Sequence, residues 1–134
     1  MSLWLDDIYY RQNAEITGYK DIFLKTNLGV MQVYTTCIDF NDEMDLQSLN
    51  RLNEIDNLKK IYGRLDIQEV RRTYDNNIYI LILGRFIIGI EYILNSNFEN
   101  SVQDFRIIED INASNREELD TFNRLDIIEL PSIK

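Results

Sequence analysis

Residues Ile78–Leu94 read IYILILGRFIIGIEYIL, and these seventeen residues carry ten Ile or Leu, two Tyr and one Phe. A membrane-spanning helix needs about 20 apolar residues. Arg85 and Glu91 would sit inside the bilayer, at about 2.5 to 3.5 kcal/mol for a charge near its centre. Gly84, Gly89 and a run of β-branched Ile also weaken a helix. The segment is therefore expected to form a buried β-hairpin, with a helix over 85–94 as the competing conformation. Gly84 and Arg85 suit a two-residue type II′ turn, because Gly accepts positive φ at the first central position. That turn sets Leu83 opposite Phe86, Leu81 opposite Ile88 and Tyr79 opposite Ile90. Both faces of the first strand are apolar, as expected of a central strand covered on both sides.

Downstream of the hairpin, residues 95–101 (NSNFENS) are expected to form a polar loop from their composition. Residues 102–111 (VQDFRIIEDI) follow as a strand, with Phe105 and Ile107 on one side. Ser114 and Glu117 stand in the capping-box relation, which predicts a helix start; Leu119, Phe122 and Leu125 give that helix its apolar side. The last apolar piece, before Pro131, suits a short edge strand.

Upstream of the hairpin, residues 64–74 admit either a helical extension or a strand. A strand makes the shorter connection, through a turn at Asp75, Asn76 and Asn77, with Arg71 and Arg72 suited to an exposed edge. Leu46, Leu49, Leu52, Ile55, Leu58, Ile61 and Tyr62 recur at spacings of three and four, which predicts a helix from Asp42 as N-cap to Gly63. Residues 21–26 and 30–40 predict a hairpin around Asn27, Leu28 and Gly29. Residues 2–12 admit both conformations, since Trp4/Ile8 and Leu5/Tyr9 stand four apart.

The expected architecture over residues 1–134 is thus one acidic α+β domain. It has a mostly antiparallel sheet: a hairpin, a helix, a meander with the central Ile78–Leu94 hairpin, a further strand and a C-terminal helix, with two main helices in all.

The 134 residues hold 14 basic and 23 acidic side chains, a formal charge of −9. Such a field repels phosphate backbones and anionic lipid and attracts basic partners. Direct nucleic-acid and membrane binding are accordingly disfavoured. Cys37 is the sole cysteine, so no intrachain disulfide is available; its place in TTCID suits a buried strand. The chain has no His, which removes the usual general base and commonest metal ligand. The first residues lack a basic segment followed by a long apolar one, so a cytoplasmic location is expected.

No GxGxxG, GxxxxGK[ST] or GxSxG motif occurs, and nothing in the residues calls for a cofactor. Asp39, Asn41, Glu43 and Asp45 alternate like the early ligands of a calcium loop, but Met44 and Asn50 stand where that loop needs Gly and Glu. Asn112, Ala113 and Ser114 spell a glycosylation sequon, a chance match expected to serve helix capping.

Three acidic groups lie beside aromatics: Asp39, Asp42, Glu43 and Asp45 near Phe40; Phe98, Glu99 and Asp104; and Glu109, Asp110, Glu117, Glu118 and Asp120. Carboxylates ringing aromatic anchors suit a basic protein partner. The expected function is a non-enzymatic binding protein that neutralises such a partner, in the manner of nuclease inhibitors, toxin immunity proteins and phage counter-defence proteins. The alternative is an assembly subunit, a homo- or hetero-oligomer joined through the apolar hairpin. In a third, minor expectation Glu91 is a buried carboxylate in a ligand pocket.

Overall fold

The computed structural model describes residues 2–16, 19–34, 36–73, 77–94 and 101–131, with backbone alone for 92–94 and 101–103. Asp75 and Asn76 of the expected turn, the expected loop at 95–100, and Phe98 and Glu99 of the second acidic group lie outside them. Along the chain run β1 (Trp4–Gln12), β2 (Lys20–Thr26), β3 (Gly29–Val33), β4 (Ile38–Phe40), a 3-10 turn (Leu46–Ser48), β5 (Asn50–Arg51) and α1 (Glu54–Tyr62). Then come β6 (Leu65–Arg72), β7 (Ile78–Ile82), β8 (Phe86–Leu94), β9 (Ser101–Ile108), α2 (Arg116–Phe122) and β10 (Asp126–Ile127). The fold is α+β, a mostly antiparallel ten-stranded sheet with two short helices.

The sheet order is β4-β3-β2-β1-β6-β7-β8-β9, with β5 on β1 and β10 on β6. β1 meets β6 through Trp4↔Asp66 and Leu5↔Leu65, with Ile67 N–H donating to the Leu3 carbonyl beside them, and farther along the same edge β5 pairs with Tyr9 and Tyr10. β6 likewise shares one edge between β1 and β10, the latter at Arg71 and Arg72. The two halves that diverge from this seam pack on one core. Ile8, Ile22, Leu24 and Met31 from one half and Ile80, Ile82, Phe86, Ile88 and Ile90 from the other belong to it, with Ile55 and Leu58 of α1. Tyr10 of β1 also meets Phe105 of β9, ring centroids 5.4 Å apart, and the Lys20 ammonium lies over both rings.

Both segments of ambiguous sequence are strands, and both carry a register irregularity. The break between Leu5 and Asp7 in β1 lets Leu5 and Ile8, three apart, both be buried; that between Ile67 and Glu69 in β6 does the same for Ile67 and Val70. An inserted residue turns a spacing of two into three, which imitates helical periodicity.

The central hairpin forms, one residue out of the predicted register. Ile82 faces Phe86, Leu81 faces Ile87, Ile80 faces Ile88, Tyr79 faces Gly89 and Ile78 faces Ile90. Leu83 and Gly84, not Gly84 and Arg85, are the central turn residues. Their φ values are 55° and 62°, and Arg85 N–H donates to the Ile82 carbonyl at 3.0 Å, a type I′ turn. A one-residue slip exchanges every side chain between faces. The predicted register would have put the Tyr79 hydroxyl among Phe86, Ile88 and Ile90, where a polar group without a partner is costly. In the observed register Ile78, Ile80 and Ile82 take that place, and Tyr79 reaches Glu91. The opposite face is covered as well, by a second cluster of Ile87, Ile108, Ile111 and Phe122 with Tyr79, Leu81 and Leu119 alongside.

Other expectations are corrected. The helix predicted from Asp42 is confined to Glu54–Tyr62. Asp45 accepts from Gln47 N–H and Ser48 Oγ donates to the Asp45 carbonyl, closing a 3-10 turn; Asn50 and Arg51 then extend to pair with β1. Such local side-chain bonds compete with a helix. Asp42 instead accepts from Val30 N–H at 2.8 Å, packed so tightly against Gly29 that no Cβ fits there. Residues 30–40 are not one strand, because the chain reverses between Val33 and Ile38, and Cys37 is exposed at this reversal.

Arg71 and Arg72 lie on an interior strand, not an edge. The Arg71 guanidinium donates to the carbonyls of Asn123 and Leu125 beyond the end of α2 and lies over the Phe122 ring. Its charge complements the negative end of that helix. Ser114 does not cap α2: its hydroxyl donates to Asp110, and the helix begins later, after Asn115.

Candidate functional site

The first and third acidic groups fall at two places, and Asp104 of the second lies on β9. Asp39, Asp42, Glu43 and Asp45, all exposed, occupy β4 and the segment after it. Asp39 accepts from Phe40 N–H, Asp42 from Val30 N–H and Asp45 from Gln47 N–H. Three of the four thus each hold a backbone amide while presenting their charge to solvent, which leaves the suggested calcium pattern with other work. Among the described residues no group of three or more acidic or cysteine side chains is arranged around a metal position.

Glu109 and Asp110 follow β9. Asp110 has φ 57°, a conformation Asp tolerates better than most residues, and its carbonyl accepts from the N–H groups of Ala113 and Asn115. Glu109 lies 3.5 Å from the Tyr62 hydroxyl at the end of α1. Burial, reinforced by Glu109, raises the Tyr62 pKa above the ordinary tyrosine value. Tyr62, Arg85, Glu109, Asp110 and Asn112 line an open cleft of about 260 Å³. Its apolar wall is the Tyr62 ring, stacked on Phe86 at 4.7 Å, and the neighbouring Ile61 is 60% exposed. Tyr62, Arg85 and Asn112 stand in the sequence as helix-stripe, turn and sequon residues and not as members of one site; their meeting depends on the hairpin turn coming beside the end of α1. Glu117 and Glu118 lie in the first turn of α2, favourable for the helix dipole, and Asp120 is exposed farther along.

The charge is unevenly satisfied. The ion pairs among the described residues engage Asp7 and Asp56 with Arg51, Asp21 with Arg11, Asp66 with Arg64, Glu69 with Arg71, and Glu91 and Glu118 with Arg106. Of the nine carboxylates in the first and third acidic groups, only Glu118 is among them. Asp39, Asp42, Glu43, Asp45, Glu109, Asp110, Glu117 and Asp120 are exposed and are engaged by no basic side chain among the described residues.

Glu91 has a different setting. It accepts from the Tyr79 hydroxyl at 2.6 Å and meets Arg106 at 3.5 Å, and Arg106 also pairs with Glu118 at 2.6 Å. Burial, then the bond to Glu91, pushes the Tyr79 pKa well above the ordinary range. Tyr79 also borders a largely apolar cavity of about 60 Å³ beneath α2, with Ile87, Ile108, Thr121, Phe122 and Leu125. That is far below the roughly 300–1,000 Å³ typical of small-molecule sites. The network ties α2 to the sheet.

No helix among the described residues is long and apolar enough to cross a membrane. The chain matches no family model, no curated protein and no solved structure.

Proposed function

We propose that the chain is a non-enzymatic binding protein that engages a basic protein and neutralises it. The observation behind this is the grouping of its carboxylates: some are held in ion pairs with arginines of the same chain, whereas those at Asp39–Asp45 and Glu109–Asp120, Glu118 excepted, stand together, exposed and in no ion pair among the described residues. Free carboxylates steer a basic partner and orient it, while contact energy comes from apolar anchors. Ile61 and Tyr62 supply such anchors beside Glu109 and Asp110. The competing proposal, an assembly subunit joined through the apolar hairpin, has less to draw on, because both hairpin faces are already covered within the molecule.

The test is to isolate a partner from the native host, identify it, and titrate it with the wild type and two neutralised variants, E109Q/D110N/E117Q and D39N/E43Q. Asp42 and Asp45 are left in place because their amide contacts tie the segment to β3 and close the 3-10 turn, whereas Asp39 holds only the N–H of the next residue, which the Asn oxygen also accepts. The proposal expects a basic partner, association that slows as salt rises, and a weaker salt dependence in at least one variant. An acidic partner, or affinity indifferent to salt and to both variants, would refute it.

A further inference from the structure

The sequence contains two Asp-Phe dipeptides, Asp39-Phe40 and Asp104-Phe105. The fold places one on β4 and the other on β9, the two strands that end the sheet. In both, the Asp carboxylate accepts from the N–H of the following Phe, at 2.9 Å for Phe40 and 2.8 Å for Phe105. In both, the Phe side chain packs against the main core.

These amides face away from the sheet. Asn41 N–H donates to Val30, so on β4 the odd-numbered residues bond inward and Phe40 faces out. On the other side, Arg85 N–H donates to Ile82, which assigns the even residues of β8 to β7 and the odd ones to β9. Gly89↔Arg106 and Glu91↔Asp104 are then the bonded pairs with β9, and Phe105 N–H points outward. A row of outward amides is what another strand needs in order to add itself to a sheet.

Asp104 also stands directly across from Glu91, a like-charged pairing that disfavours the sheet. Arg106, two residues along, pairs with Glu91 and Glu118, while Asp104 turns to the edge. Local pairing alone does not account for an acidic residue there; a role at the edge does.

We propose that Asp39 and Asp104 are guards that keep the two sheet ends from pairing with a second copy of this chain. Each carboxylate occupies an amide that an incoming strand would need and sets an exposed negative charge in its path. β9, with eight residues, is the edge most in need of this, and its unguarded partner would be the β9 of another molecule. This inference stands on the edge geometry and is independent of the proposed basic partner.

The experiment compares the wild type with D39A/D104A by sedimentation velocity from micromolar to near-millimolar concentration, with far-UV circular dichroism as the control for folding. The wild type is expected to stay monomeric and the alanine variant to associate, at a dissociation constant at least tenfold lower than any self-association of the wild type. A folded alanine variant that remains monomeric overturns the proposal, as does a wild type that associates equally well. If the alanine variant does not fold, amide exchange in the wild type decides. Phe40 and Phe105 should exchange more slowly than Ile107, whose N–H faces the same way as that of Phe105, and equal rates overturn the proposal.

Discussion

Gly89 is the position where one added methyl group tests the hairpin register. A Cβ there would lie 2.9 Å and 3.1 Å from two carbons of the Tyr79 ring, which crosses the strand over the glycine. Packing an extra carbon into a filled site costs about 1–3 kcal/mol. If the ring moves away, its 2.6 Å bond to Glu91 is lost too, about 1.5–3 kcal/mol for a bond to a charged group. Against this, removing Gly from a strand interior returns about 0.5–1 kcal/mol of backbone entropy. Gly89→Ala should therefore destabilise by about 2 kcal/mol, read as a lower urea midpoint at unchanged slope. In a Tyr79→Ala background the obstruction is gone, and the same substitution should become stabilising by about 0.5 kcal/mol. The four proteins form a double-mutant cycle with a coupling of about 2 to 3 kcal/mol. If Gly89→Ala cost the same with and without Tyr79, the two would not face each other and the register would be wrong.

Leu83 adopts φ 55°, which costs a residue with a Cβ about 1–2 kcal/mol. Leu83→Asn should accordingly be near neutral in urea unfolding, whereas Leu81→Asn, on a half-buried neighbour with ordinary backbone, should cost about 2 kcal/mol; equal costs would contradict the turn. The folded Tyr79 pKa lies above its unfolded value of about 10, so the stability this group contributes is complete below that pH and lost as pH rises through the folded value. Wild-type stability should therefore fall more steeply above about pH 10 than that of Tyr79→Phe, and parallel curves would show that the hydroxyl is not held as described. Arg71→Ala strands the carbonyls of Asn123 and Leu125 and should lower stability by about 2 kcal/mol, with helix signal lost first; a surface-like effect under about 0.5 kcal/mol would deny it the capping role.

The hairpin, the 20–33 ribbon and the strand at 101–108 were legible because their apolar residues recur with the pleat. The turn at Leu83–Gly84 was not, since local rules place Gly, not Leu, at positive φ. What selects it is tertiary: Tyr79 needs both the bare backbone of Gly89 and the carboxylate of Glu91, and one register gives it both. The two ambiguous segments misled through their bulges, which set Leu5 and Ile8, and Ile67 and Val70, three apart. The overlong helix misled because Leu46, Leu49 and Leu52 keep helical spacing by coincidence, while the open edge of β1 beside Tyr9 and Tyr10 recruits Asn50 and Arg51. The acidic groups could be read from composition. That most of them enter no ion pair among the described residues could not, because Arg51, Arg71 and Arg106 choose partners that only the folded chain brings near.

The seam between the halves of the sheet rests on two residue pairs, Trp4↔Asp66 and Leu5↔Leu65, and one flanking bond from Ile67 N–H to the Leu3 carbonyl. So slender a junction would ordinarily let two lobes melt separately. Here neither lobe owns its interior: Ile8 and Leu24 from one side and Ile80, Phe86 and Ile88 from the other belong to a single buried cluster. Pulling the lobes apart wets both at once, so heating should give a single calorimetric peak whose van't Hoff and measured enthalpies agree.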